Sequence, residues 1–155
     1  MSKVLSLWQR SEKTTFGRWF FSRMVARKAP YFTTIKPRIE LLEVGRSQVS
    51  MKKRRAVENH IGTVHAIAMC NLAELAGGML TEVSIPASMR WLPKGMKVEY
   101  VRKAESDVTA FATLPKVKEG PGHDVDADVL IKDESGNVVC RATITMYVSP
   151  KKKSA

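Results

Sequence analysis

The most constraining feature of this 155-residue chain is the stretch VHAIAMCNLAELAGGML, residues 64–80. It is built of strong helix formers and is apolar on nearly every side. A helix with no polar face has to be enclosed, since each large apolar side chain left in water forgoes ~1.5–3 kcal/mol of burial energy. Asn71 and Glu74 interrupt the run, so it falls short of the ~18 apolar residues that a bilayer span needs. The chain itself is therefore expected to wrap this helix. Gly77 and Gly78 permit a close backbone approach or a change of direction near its end.

The material for wrapping lies on both sides. PRIELLEVGRSQVSMKKRR, residues 37–55, reads as two strands around a turn near Gly45–Arg46. After a predicted loop holding Pro86 and Pro93 come four strand-like runs: KVEYVRKA, DVTAFATL, HDVDADVLIKD and NVVCRATITMYV. The first two are separated by a short polar turn around Glu105–Ser106, and the last two by ESGN, a hairpin signal. Val125, Ala127, Val129 and Ile131 alternate with polar residues, as do Val138, Cys140, Ala142, Ile144 and Met146, so each strand turns one face to a core. The expected architecture is α+β, with a mostly antiparallel sheet curled around one long helix.

Residues 14–28, TTFGRWFFSRMVARK, place Phe16, Trp19, Phe20 and Met24 at helical spacing beside Arg18, Arg23 and Arg27. This is an amphipathic basic helix that stops before Pro30. Its apolar stripe is expected to pack on the rest of the domain, with a membrane surface as the alternative partner of residues 10–28. The expected organisation is a basic N-terminal helical extension at 1–35, a domain at 36–149 and a basic tail at 150–155.

The net charge of +11 is concentrated in the N-terminal quarter, in KKRR at 52–55 and in KKK at 151–153. Such a surface attracts polyanions of several kinds or simply keeps the protein soluble. No nucleic-acid-binding module pattern surrounds the arginines, so nucleic acid is disfavoured. The N-terminus lacks the apolar core and cleavage site of a secretory leader. With Cys70 and Cys140 both in apolar segments, reduced core thiols and a cytoplasmic location are expected.

Metal and nucleotide chemistry find little support. Asp124, Asp126 and Asp128 imitate a calcium loop, but Val129 stands where its glycine is required, so the aspartates are expected on the outer face of a strand. The histidines and cysteines lack zinc spacing. Neither a serine-hydrolase elbow nor a phosphate loop is present.

Glu74 needs a reason. A carboxylate buried alone costs several kcal/mol, so it must be paired, protonated or open to a cleft. Asn71, three residues earlier, shares its helical face. Asn59, Gly62 and His65 complete the pattern N-x-x-G-x-x-H, followed nine residues later by the acid of LAELAGG.

That pattern resembles the hotdog-fold acyl-thioester family, in particular its phenylacetyl-CoA thioesterase-like branch, whose string runs roughly N-x-x-G-x-x-H-G-G before LAD or LAE. The likeness covers about residues 36–149. It implies a hotdog fold in which the antiparallel sheet wraps a long central helix, with the N-terminal helix as an addition. It further implies a thioesterase acting on acyl-CoA or acyl-carrier thioesters, with coenzyme A as part of the substrate and no other cofactor.

By the same resemblance Glu74, Asn59 and His65 are the catalytic candidates. Glu74 would be general base or nucleophile, Asn59 would orient a water or brace its loop, and His65 would act or merely anchor the helix start. Amides near Gly62, Ala66 and Ile67 would polarise the carbonyl, and Asn71 would contact substrate. Family sites are built between subunits, which implies a homodimer or tetramer. Lys94, Lys97 and the 52–55 cluster are the candidate holders of coenzyme A phosphates. The chain departs from the family at Ala66 and Ile67, where two glycines are usual. That departure supports an alternative, a non-catalytic acyl-thioester or lipid-binding module. Dehydration of hydroxyacyl thioesters, pairing His65 with the carboxylate, is a further alternative.

Overall fold

The computed structural model describes residues 2–151, so most of the expected basic tail at 150–155 lies outside the described residues. Three helices, α1 (Lys3–Ser11), α2 (Thr15–Lys28) and α3 (Ala66–Ser84), accompany six strands. The strands are β1 (Arg38–Glu43), β2 (Arg46–Met51), β3 (Met89–Tyr100), β4 (Val108–Thr113), β5 (His123–Asp133) and β6 (Val138–Pro150). They form one antiparallel sheet in the order β1-β2-β4-β5-β6-β3, which leaves β1 and β3 as its edges.

The long apolar helix lies where its composition demands. α3 packs against all six strands, and Leu72, Ala73, Ala76 and Leu80 are wholly buried. Contrary to the expectation from Asn71 and Glu74, α3 is by length and composition alone able to cross a membrane, but most of it is buried inside the fold. Gly77 explains how the sheet comes so near. A Cβ there would sit 3.0 Å from Ile144 Cδ1 and 3.5 Å from Ala127 Cβ, so β5 and β6 press directly on the helix backbone. Gly78 does the same on another side, where a Cβ would meet the Trp91 ring at 3.0 Å.

The strand alternation holds. Val125, Ala127, Val129 and Ile131 are buried in β5, and Cys140, Ala142, Ile144 and Met146 in β6, while Val138 is only half-buried. Asp124, Asp126 and Asp128 of β5 face outward: Asp124 pairs with Lys94, and Asp126 and Asp128 accept the hydroxyls of Thr145 and Thr143. At the β1–β2 turn Gly45 takes φ 86°, a left-handed value that glycine alone adopts without strain.

Two further expectations are corrected. Pro93 is not in a loop: β3 begins at Met89 and passes through it. The missing amide is tolerated because β3 is an edge strand and its register with β6 shifts between Pro93 and Gly95. The stripe on α2 is not the face that packs. Phe21, Ser22 and Ala26 are buried, whereas Phe16 is 71% exposed, Trp19 51%, Phe20 55% and Met24 37%. α2 is apolar on two faces, and Trp8 of α1, a helix not anticipated from the sequence, decides which one turns in. Its ring meets Phe21 edge-on at 5.2 Å.

Candidate active site

The chain approaches α3 through a tightly tied loop. Asn59 Oδ1 accepts the amides of Ile61 and Thr63, each at 3.1 Å, and its Nδ2 donates to the Thr63 hydroxyl at 2.8 Å. Gly62 makes the reversal at φ 76° and donates its amide to the Asn59 carbonyl at 3.1 Å. The Asn59 side chain thus braces the loop and keeps one N–H to spare.

His65 caps the helix. Its Nδ1 accepts the Ile67 amide at 3.1 Å, and since an amide can only donate, the neutral ring carries its proton on Nε2. That N–H belongs to an exposed ring. The Ile67 amide is therefore taken, whereas among the described residues the Ala66 and Ala68 amides meet no acceptor. Unpaired amides at a helix start carry the positive end of the helix dipole, a site suited to a developing oxyanion.

One turn on, Asn71 is 4% exposed. Its Nδ2 donates to the Thr34 hydroxyl at 3.1 Å, while Oδ1 is buried without a partner. His65, Ile67, Asn71, Tyr31, Thr34 and Glu58 line a small pocket of about 230 Å³. Arg54, from the basic 52–55 cluster, fixes its far wall by donating to the Thr34 carbonyl.

Glu74 lies elsewhere. It is half-buried, and among the described residues no side chain or backbone group bonds its carboxylate. It lines a larger groove of about 540 Å³ whose walls include Leu7, Phe21, Val25, Phe32, Met79 and Trp91. Glu82, two turns further along the same face, holds Trp91 through its indole N–H at 2.9 Å. Lys3 and Lys28 also line the groove. A mostly apolar groove with a few placed charges suits an amphiphilic ligand with an apolar chain.

Asn59, Gly62, His65, Ala66, Ile67 and Asn71 are thus gathered at the start of α3, but Glu74 is not among them. Nine residues of helix separate it from His65, about 13 Å along the axis. One carbonyl cannot touch both ends within a single chain. Of the proposed phosphate holders, Lys94 is paired with Asp124 at 2.6 Å and Lys53 with Glu58 at 2.9 Å. The groove walls from α1, α2 and the 3-10 turn Pro30–Thr34 escaped sequence reasoning. Glu82 alone had a signal, its helical spacing from Glu74.

Known structures share this architecture. The structural-genomics protein APC5556 superposes with a TM-score of 0.83 and 43% identity, over 96% of this chain and 99% of its own. A Pseudomonas aeruginosa protein of unknown function, described as a probable thioesterase, gives 0.76 at 25% identity, over 84% and 93%. A Haemophilus influenzae thioesterase gives 0.70 at 17% identity, over 79% and 85%, a likeness of fold alone. No curated protein matches the chain. The six-stranded sheet around α3 is the hotdog fold, as the sequence pattern implied. The family model "Domain of unknown function (DUF4442)" matches residues 17–148, from inside α2 almost to the end of β6, and the chain belongs to that family.

Proposed function

We propose that this protein hydrolyses acyl thioesters of coenzyme A or a carrier protein, with Glu74 as the catalytic carboxylate. The observation that carries the reading is an unpaired, half-buried carboxylate on the wall of an apolar groove of about 540 Å³. The Pseudomonas aeruginosa relative, described as a probable thioesterase, supports it.

In this reading the acyl chain lies along Leu7, Val25, Phe32 and Met79, which brings the thioester to Glu74. Glu74 takes a proton from water as the oxygen bonds to the carbonyl carbon. The carbonyl oxygen becomes an oxyanion. As it collapses the C–S bond breaks, and the thiolate leaves with the proton from Glu74. The oxyanion donors are the Ala66 amide and the Nε2–H of His65, supplied by a second copy, because those of the same chain are too far along the helix. A homodimer follows, joined along the open β3 edge, where Leu92, Met96 and Tyr100 are exposed. Asn71 Oδ1 accepts an amide N–H of the pantetheine arm in the small pocket. The location proposed is the cytoplasm, in keeping with the free thiols of Cys70 and Cys140.

A second reading, binding without hydrolysis, draws on Ile67. Its amide is occupied by His65 and its branched side chain stands 54% exposed at the helix start, the position where the string it resembles carries glycine.

Free-thiol release from short, long and aromatic acyl-CoAs separates the two. Turnover that falls at least ~100-fold in a still-folded Glu74→Gln variant supports hydrolysis by a general base. Tight binding with no turnover by either protein supports the binding module. Light scattering tests the dimer: Leu92→Glu with Met96→Glu should leave only the 17.3 kDa single chain.

A further inference from the structure

We propose that the outward face of α2 docks on an anionic membrane surface. Phe16, Trp19 and Phe20 stand more than half exposed on it, and Met24 continues the ridge. Phe16 lies 5.7 Å from Trp19 and 6.4 Å from Phe20, ring centre to ring centre, so they form one patch. The core does not need them. On the opposite face Phe21 and Ala26 are buried, and Ser22 accepts the Ile39 amide at 2.9 Å, which ties α2 to β1.

Charge selects the occupant. Residues 1–39 contain nine Lys or Arg against one acid, Glu12. Arg23 and Arg27 are exposed on the helix that carries the aromatics, and the Arg23 guanidinium lies over Trp19 at 5.8 Å. Aromatic rings settle at the level of lipid headgroups while cations pair with the headgroup phosphates. A second copy of this face would bring like charges together, which argues against self-association through it.

The orientation has a use. Phe16, Phe20, Met24 and Lys28 follow one another at four-residue intervals, and the last two line the groove that contains Glu74. A protein lying on its aromatic ridge holds the groove mouth at the bilayer edge, where apolar chains are found. The docking itself does not depend on what reaction, if any, takes place in the groove.

The test is sedimentation of the full chain with phosphatidylcholine vesicles, with and without phosphatidylglycerol, at low and high salt. Binding at least ~10-fold tighter to the anionic vesicles, weakening with salt, is expected. Phe16→Ser/Trp19→Ser/Phe20→Ser and, separately, Arg23→Glu/Arg27→Glu should each lower it at least ~10-fold, with unchanged circular dichroism. Equal binding to neutral vesicles, no binding at low salt, or unimpaired binding by both variants overturns the proposal. So does an aromatic variant that alters the mass of the protein in solution and leaves vesicle binding intact, which would make the face an interface between copies.

Discussion

Asn71 Nδ2 meets the Thr34 hydroxyl at 3.1 Å, and the proton of that hydroxyl goes to the Tyr31 carbonyl at 2.8 Å, so the Asn71 amide can sit only one way round. Its Oδ1 is left as a buried acceptor awaiting a donor. Thr34→Val removes the acceptor of a buried N–H and should cost about 1–3 kcal/mol in urea unfolding. Asn71→Leu removes both polar groups together and should change stability by less than ~1 kcal/mol. If substrate supplies the missing donor, Asn71→Leu raises KM about 5–10-fold with kcat nearly kept. An unchanged KM assigns the acceptor to water.

Leu7, at the groove wall, is 41% exposed, which gives a larger side chain room to turn inward. Leu7→Trp should shorten the preferred acyl chain, lowering kcat/KM for long-chain substrates ~10-fold or more while short-chain rates hold. The basis is lost apolar burial, ~0.8 kcal/mol for each displaced CH₂. Parallel loss for every chain length would place the chain outside this groove.

His65 ends the loop and starts the helix through one bond to Ile67. His65→Ala should cost ~1 kcal/mol, as loss of a helix cap does, and His65→Asn should restore most of it. Thermal melts measure this. Thioester turnover in His65→Asn then asks a separate question, whether the Nε2 proton has work beyond capping.

Cys140 is fully buried, and burial, with Cys70 nearby adding to it, pushes its thiol up to about 11 from an ordinary 9.0. A raised pKa in the folded state means that its contribution is complete below pH 9. It is then lost progressively as pH rises toward 11, because the unfolded chain ionises first. Melting temperature should fall between pH 9 and about 11 more steeply in wild type than in Cys140→Ala, and the two should run parallel below pH 9. At pH 8 a thiol reagent should modify the half-buried Cys70 well before Cys140, whose thiol is wholly buried and held protonated.

Much of the fold was legible because its pattern was local. β5 and β6 alternate cleanly around a hairpin turn, and α3 is too apolar to lie anywhere but inside. What escaped depended on distant partners. α1 is nine residues long, too short to be stable alone, and it stands because Trp8 meets Phe21. α2 carries apolar residues on both faces, and nothing within it says which turns inward. Pro93 reads as a loop unless the strand is known to be an edge. The motif at residues 59–67 was visible, but its groups turned out to be tied to one another, Asn59 to Thr63 and His65 to Ile67. Glu74 was visible as an anomaly. The groove in front of it was not, since its walls come from helices far away in sequence.

The position of β3 also sets the order in which the molecule assembles. Met89 meets Pro150 and Tyr100 meets Cys140, and the strand has no other neighbour in the sheet. A strand whose only sheet partner is so remote in sequence makes no ladder hydrogen bonds until a long loop closes, so its pairing comes late and slows folding, even though Trp91 packs on the nearby α3. During synthesis at about 5–20 residues per second it waits for seconds with its hydrogen-bonding groups unpaired. Arg90, Pro93, Lys94 and Lys97 interrupt what would otherwise be a sticky ribbon. The charges and the proline along this edge thereby protect the nascent chain until its last strand arrives.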